Sequence, residues 1–408
     1  MVRLNSVMVS ANTTEMAIAE LANKLGDTDV TPNFVYAFYG CAHDDNQVLA
    51  FLKQRFPGAA LLGGTSCSGV MTQAGLGGAE SVGLLMIEDA EGSYGSSIVE
   101  LGDDPAAAAE TALLAALEAA DCPNELPELV WVYQAPGQEE AVIAGLRRIV
   151  GDRCPVIGGS SADDTVAGNW RQLGPDRIMT NGLVVGVLFS SGGIGFAFQG
   201  GYEPSGQSGI VTRIGFDTDG KSGIVTESRG RHILAIDNQP AAQTYNNWIG
   251  GGLTERLAEG GNILADTTMF PLGIDSGNIN EVSHYLLVHP DAITPEGGLS
   301  TFAEVEEGTR IYSMRGEKRR LVDRAGRVAS MAAASLPDGI DSLAGGVVVY
   351  CGGCMLAVGD GMSEVSKTVA ESFSDTPFLG CFTFGEQGLI LGKNVHGNLM
   401  ISAIAFGQ

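Results

Sequence analysis

Pro377-Phe378-Leu379-Gly380-Cys381-Phe382-Thr383-Phe384-Gly385-Glu386-Gln387-Gly388 is the third appearance of one local plan. The first is Ala59-Ala60-Leu61-Leu62-Gly63-Gly64-Thr65-Ser66-Cys67-Ser68-Gly69, and the second is Cys154-Pro155-Val156-Ile157-Gly158-Gly159-Ser160-Ser161-Ala162-Asp163. Each is a short apolar run closed by glycine and then a hydroxyl residue. The flanks repeat as well. An apolar strand precedes each run, at 34–40, 129–134 and 346–351, and a helical pattern lies between, at 44–55, 138–150 and 363–373. Another strand follows, at 81–88, 182–190 and 398–406. The units are too long and too few for a solenoid.

A strand that feeds a helix and returns to a parallel strand makes a right-handed crossover. The fold expected is therefore α/β, with two related halves built from repeated strand-helix-strand units and mixed sheets. In such sheets ligands lie outside the carboxyl ends of the strands, where glycine lets a backbone approach closely and hydroxyls donate hydrogen bonds. Gly64, Thr65, Ser66, Gly159, Ser160, Ser161, Thr383, Gly385 and Glu386 fall at that edge, as do His43 and Asp44 in the loop after the first strand. Glycine and serine accumulate at 191–209, which places a boundary between domains 1–199 and 200–408. Beyond it, 209–237 reads as strands joined by turns, followed by a helix after Pro240, strands near 284–289 and 302–313, and a helix at 317–335.

Composition narrows the function. The chain has 408 residues, 44% of them hydrophobic, and a net charge of −25. That size allows a large core, and that charge opposes nucleic acid and anionic membrane as partners. No stretch reads as a signal peptide or a membrane span. Seven cysteines, an odd number, scattered along a long chain point to a reducing compartment. The expected location is the cytoplasm.

The residues resemble the FIST family, a two-part intracellular sensory module. Gly380-Cys381-Phe382-Thr383-Phe384-Gly385-Glu386 carries the most specific likeness, joined by Phe270-Pro271-Leu272-Gly273, Pro295-Glu296-Gly297-Gly298-Leu299 and Val305-Glu306-Glu307-Gly308-Thr309. Cys41-Ala42-His43-Asp44 and the first Gly-Gly-Thr-Ser stretch resemble the family's first part. The resemblance implies a non-catalytic sensor that binds a small ligand and relays to a histidine kinase or chemoreceptor. It implies either an amino-acid-like metabolite or haem b that senses nitric oxide.

Haem needs one axial imidazole or thiolate. His43 is the first candidate and His232, His284 and His289 are weaker ones, with Cys122 and Cys154 as thiolate alternatives. An amino acid needs donors for its carboxylate and an acid for its amine, for which the hydroxyl loops and Glu386 are suited; Asp163 and Asp164 are further acids. Two other classes stay open: a thiol-dependent oxidoreductase using Cys351 and Cys354, and a scaffold that binds only protein. Cys351, Cys354 and Cys381 with His396 are a further metal set, though nothing in the spacing fixes their geometry. Residues 215–222 match a phosphate-binding loop pattern, but β-like residues follow the lysine where a helix is required.

Overall fold

In the computed structural model, residues 1–26, 31–215, 230–279 and 281–408 are described. The phosphate-loop-like stretch, and most of the turns expected in 209–237, lie outside them beyond Gly215. The contacts divide the chain into two compact units. One contains Met1–Phe198, Val322–His396 and Ile401–Gln408, and the other Gln199–Leu321 and Gly397–Met400. The first edge of this division falls between Phe198 and Gln199. The segment from Val322 is grouped with the first unit instead of with 200–321.

The first unit holds the repeats, and each builds a sheet it cannot finish. Sheet I runs Arg3–Ser10, Ser81–Glu88, Phe34–Tyr39 and Ala60–Thr65. Its last two strands, Gln172–Leu173 and Ile178–Met179, come from the second repeat. Sheet II runs Ser93–Glu100, Gly182–Phe189, Leu129–Gln134 and Val156–Ser160, then takes Glu386–Ile390 and Lys393–Gly397 from the third. Sheet III runs Ile194–Gly200, Met400–Gly407, Leu343–Cys351 and Phe378–Thr383, then takes Val70–Thr72 and Gly75–Leu76 from the first. The exchange is cyclic. Three backbone bonds of matching position close it: Ala162 N–H to Thr65 O at 3.3 Å, Phe384 N–H to Ser160 O at 3.1 Å and Cys67 N–H to Phe382 O at 3.1 Å.

The central pair of strands in each sheet is parallel, as the crossover requires, and its other pairings are antiparallel. The glycines of the repeated runs have a steric reason. Gly158 has φ +153°, and a Cβ there would lie 1.9 Å from the Val132 carbonyl oxygen. Period-2 alternation then sorts the side chains. Phe34, Tyr36, Phe38, Trp131, Tyr133, Val347 and Val349 point into one core shared by all three sheets. Tyr36 and Trp131 meet edge-on at 4.9 Å between ring centroids, and Phe38 meets Tyr133 at 5.0 Å.

The opposite faces carry helices. Thr14–Leu25 and Asp45–Arg55 cover sheet I, and Pro105–Ala119 and Glu139–Val150 cover sheet II. Thr13, Asp44 and Asp104 cap three of them by accepting from the N–H of Met16, Gln47 and Ala107. The third repeat supplies Lys318–Ala334, Gly352–Val358 and Met362–Ser372.

The second unit is built on a nine-stranded sheet whose described pairings are antiparallel. Its core includes Ile233, Tyr245, Leu272, Val288 and Ile311. The expected strand at 302–313 begins only at Arg310. The stretch before it turns through Glu307 and Gly308, where φ is +84° at the glycine.

The shared core gives a stability expectation. Trp131→Ala, at a side chain with no exposure, should cost about 3–5 kcal/mol in denaturant unfolding. Leu114→Ala, 46% exposed on a helix, should stay within about 0.5 kcal/mol.

Candidate functional site

The hydroxyls expected at the ligand edge are all buried, and each already has a partner in the repeat junctions. Thr65 Oγ1 accepts from Arg171 N–H at 2.9 Å. Ser66 Oγ accepts from Phe382 N–H at 2.8 Å and donates to Gly69 O, so one hydroxyl bridges the third junction. Ser161 Oγ donates to Gln134 O at 3.1 Å and accepts from Gln172 Nε2 at 2.7 Å. Ser160 Oγ donates to Glu139 Oε1 at 2.6 Å, and Thr383 Oγ1 to Glu386 Oε1 at 2.7 Å. Gly64 and Gly159 lie in strand register opposite Gln172 and Glu386, and Gly385 accepts from Ser160 N–H.

A cavity opens at the junction of the first and second repeats. Cys41, Ala42, Asp45, Thr65, Asp163, Asp164, Thr165, Asn169 and Arg171 line a cavity of about 370 Å³. A neighbouring cavity of about 430 Å³ shares Asp45 and Arg171 and continues over Glu100, Met179 and Asn181. Buried Asp163 shapes the roof by accepting from Thr165, Ala167 and Asn169 N–H at 2.7–3.3 Å. Asp164 accepts from Ser68 N–H. The Arg171 guanidinium stands 3.5 Å from Asp45, which also takes the Tyr39 hydroxyl at 2.9 Å. Burial raises the Asp45 carboxyl; Tyr39 and Arg171 oppose that rise.

His43 and Asp44 flank this cavity in sequence but serve structure. His43 is buried, with Nδ1 at 3.4 Å from Thr14 Oγ1 and Nε2 at 2.9 Å from Glu80 O. Asp44 caps a helix. His232, His284 and His289 belong to the second unit. His289 packs edge-on to Phe302 with Nε2 at 3.0 Å from Thr267 Oγ1. A cluster able to coordinate a metal occurs instead at Glu139, Glu140 and His396, whose ligand atoms lie within 4.8 Å of one another.

Burial opposes thiolate formation at several of the cysteines. Burial pushes the Cys351 thiol far up, and pushes Cys41, Cys67 and Cys154 up to about 12. Protonated thiols are weak nucleophiles. Sequence reasoning passed over Asp45, at a helix start, and Asn169 and Arg171, in a polar loop, because their role appears only when the second repeat reaches sheet I.

Family models match the FIST N domain over residues 33–215 and the FIST C domain over 241–389. The two parts together define a two-part sensory module. The chain belongs to the FIST family. No curated protein matches. Solved structures with distant likeness include a cyanuric acid hydrolase from A. caulinodans, 10% identical over 100% of both chains with a TM-score of 0.35. PurLQS from Thermotoga maritima is 10% identical over 77% of this chain and 73% of its own, with a TM-score of 0.20. Among the described residues no helix is long and apolar enough to cross a membrane.

Two measurements follow from these environments. At pH 8 the folded chain should react slowly with 5,5′-dithiobis-(2-nitrobenzoate) and release all seven equivalents only on denaturation; rapid reaction at Cys351 and Cys354 would restore the oxidoreductase reading. His289 is held neutral, its pKa lowered by burial from 6.5 to about 4. The unfolded chain therefore takes up this proton first, so stability is full above pH 6.5, falls towards pH 4 and then levels. Thermal unfolding should show that loss, on the order of 3 kcal/mol, and His289→Gln should flatten it.

Proposed function

We propose that the chain is a non-catalytic cytoplasmic sensor of a small amphoteric metabolite, an amino acid or a close analogue, bound where the second repeat closes sheet I. The observation that carries this reading is the polar cavity of about 370 Å³, in which one guanidinium, Arg171, stands among Asp45, Asp163 and Asp164. Arg171 suits a carboxylate through its planar fork. Asp45 and Asp164 suit an ammonium group, and their excess of negative charge favours a ligand with a net positive amine end. Asn169 and the Thr65 backbone add polar contacts.

The relay follows from where the cavity lies. Its walls come from two repeats, so a bound ligand favours one arrangement of the junction over others by its differential affinity. A histidine kinase or chemoreceptor component that reads this junction completes the signal. Haem is the competing ligand that the family resemblance implies. Against it, the cavity is lined with carboxylates, and His43 gives up contacts at both ring nitrogens if it turns to iron.

Calorimetry of the full chain against an amino-acid panel tests the reading. One ligand should bind with a single equivalent, and Arg171→Gln should weaken it by about 10-fold or more, in line with loss of a charge-assisted pair. Absorption spectra with added haem, before and after nitric oxide, supply the other arm. A stoichiometric Soret band that His43→Ala removes, with no amino acid bound, would overturn the proposal.

A further inference from the structure

The three junctions are equivalent in backbone and different in content, and the second contains polar groups that its own packing does not explain. Gln134 and Gln387 have no exposure, and neither amide oxygen nor amide nitrogen of either has a hydrogen-bond partner. Leaving such groups unsatisfied costs about 1–3 kcal/mol each, so four such atoms in one junction call for an explanation.

Their positions aim them at one place. Val130, Val132 and Gln134 alternate onto the helix-covered face of sheet II, where Val130 and Val132 pack under the helix Glu139–Val150. Gln387 lies opposite Gly158. Its counterpart in sheet I is Leu173, opposite Gly63, which packs in the helix-side core. The strands Glu386–Ile390 and Lys393–Gly397 are joined by a two-residue turn, Leu391 at φ +50° and Gly392 at φ +76°. That turn sets Gln387 opposite His396 on one face.

At this place stand the two carboxylates and the imidazole noted above. Glu139 is 2% exposed and accepts both Ser160 Oγ and Gly137 N–H. Glu140 Oε1 lies 2.9 Å from His396 Nδ1. A Cβ on Gly385 would come within 2.6 Å of His396 Nε2, so glycine leaves the imidazole its room. Donors that share one cation at about 2.1 Å stand about 3–4 Å apart. The ligand atoms of this cluster lie within 4.8 Å of one another, and the Glu140 side chain is 27% exposed.

We infer that Glu139, Glu140 and His396, with the amide oxygen of Gln387 or Gln134, form a binding site for one divalent cation of the Zn²⁺ or Mn²⁺ class. Mixed imidazole and carboxylate donors suit those ions. Contacts of Glu139 with Ser160 and Gly137, and of Glu140 with His396, already engage the three ligands. They leave the two buried amides without partners, whereas a cation and its bound water satisfy them. The ion would tie the helix of the second repeat to the hairpin of the third. The site is separate from the proposed metabolite cavity, which belongs to the other junction.

The test uses the full chain, stripped with chelator and titrated with ZnCl₂ or MnCl₂ by calorimetry. One equivalent should bind and raise the unfolding temperature. Co²⁺ in its place should give visible d–d absorption. Glu140→Gln changes a half-buried surface residue and should fold; it should lose at least about 10-fold in affinity. His396→Gln should abolish the Co²⁺ spectrum. A folded wild-type chain that binds none of these ions, or a Glu140→Gln isotherm that matches wild type, overturns the inference. So does loss of binding in Asp45→Asn, at the corresponding position of the first junction.

Discussion

Every sheet in the first unit depends on a hairpin from another repeat. An unpaired edge strand exposes a row of backbone donors and acceptors and invites association with other chains. Here the edge beside each parallel pair is covered by a hairpin of the next repeat, and the cycle ends where it began, through the bonds at Thr65, Ser160 and Phe382. The aromatic core is a result of that closure. Tyr36 and Trp131 come from different sheets and meet only because the sheets are tied in a ring.

The same closure decides what is left for binding. A strand end followed by a hydroxyl is an inviting ligand edge, but the ring uses these hydroxyls to join repeats. What remains is the space between each helix start and the neighbouring hairpin. Three residue sets occupy it. The first junction has Asp45, Tyr39 and Arg171, and stays open. The second has Glu139, Gln134 and His396, and is closed over. The third has Cys351 and Cys354, both buried. One backbone plan therefore presents an amphoteric cavity, an acid-imidazole cluster and a buried thiol pair.

The repeats were legible because their determinants are local. Apolar runs, Gly-Gly closures and helical patterns each act within a few residues, and the expected strands at 129–134 and 81–88 agree with the observed ones to within a residue or so at most. The exchange was not legible, because Gln172–Leu173 and Val70–Thr72 are too short to show a period. Their pairing is decided by a partner far away in sequence. The site was missed for the same reason. Arg171 reads as one more polar loop residue until the hairpin it introduces is seated on sheet I. His43 stands in a loop at the expected edge, and its ring contacts Thr14 and Glu80.

The split third repeat has a consequence for how the chain is made. Its opening strand, Ile194–Gly200, emerges long before Met400–Gly407, the strand beside it. The hairpin at 70–76 likewise waits for Phe378–Thr383. Closing such distant segments is slow. During synthesis the nascent chain therefore carries unsatisfied sheet margins until Phe378–Thr383 and Met400–Gly407 have been made, an interval in which those margins invite association with other chains.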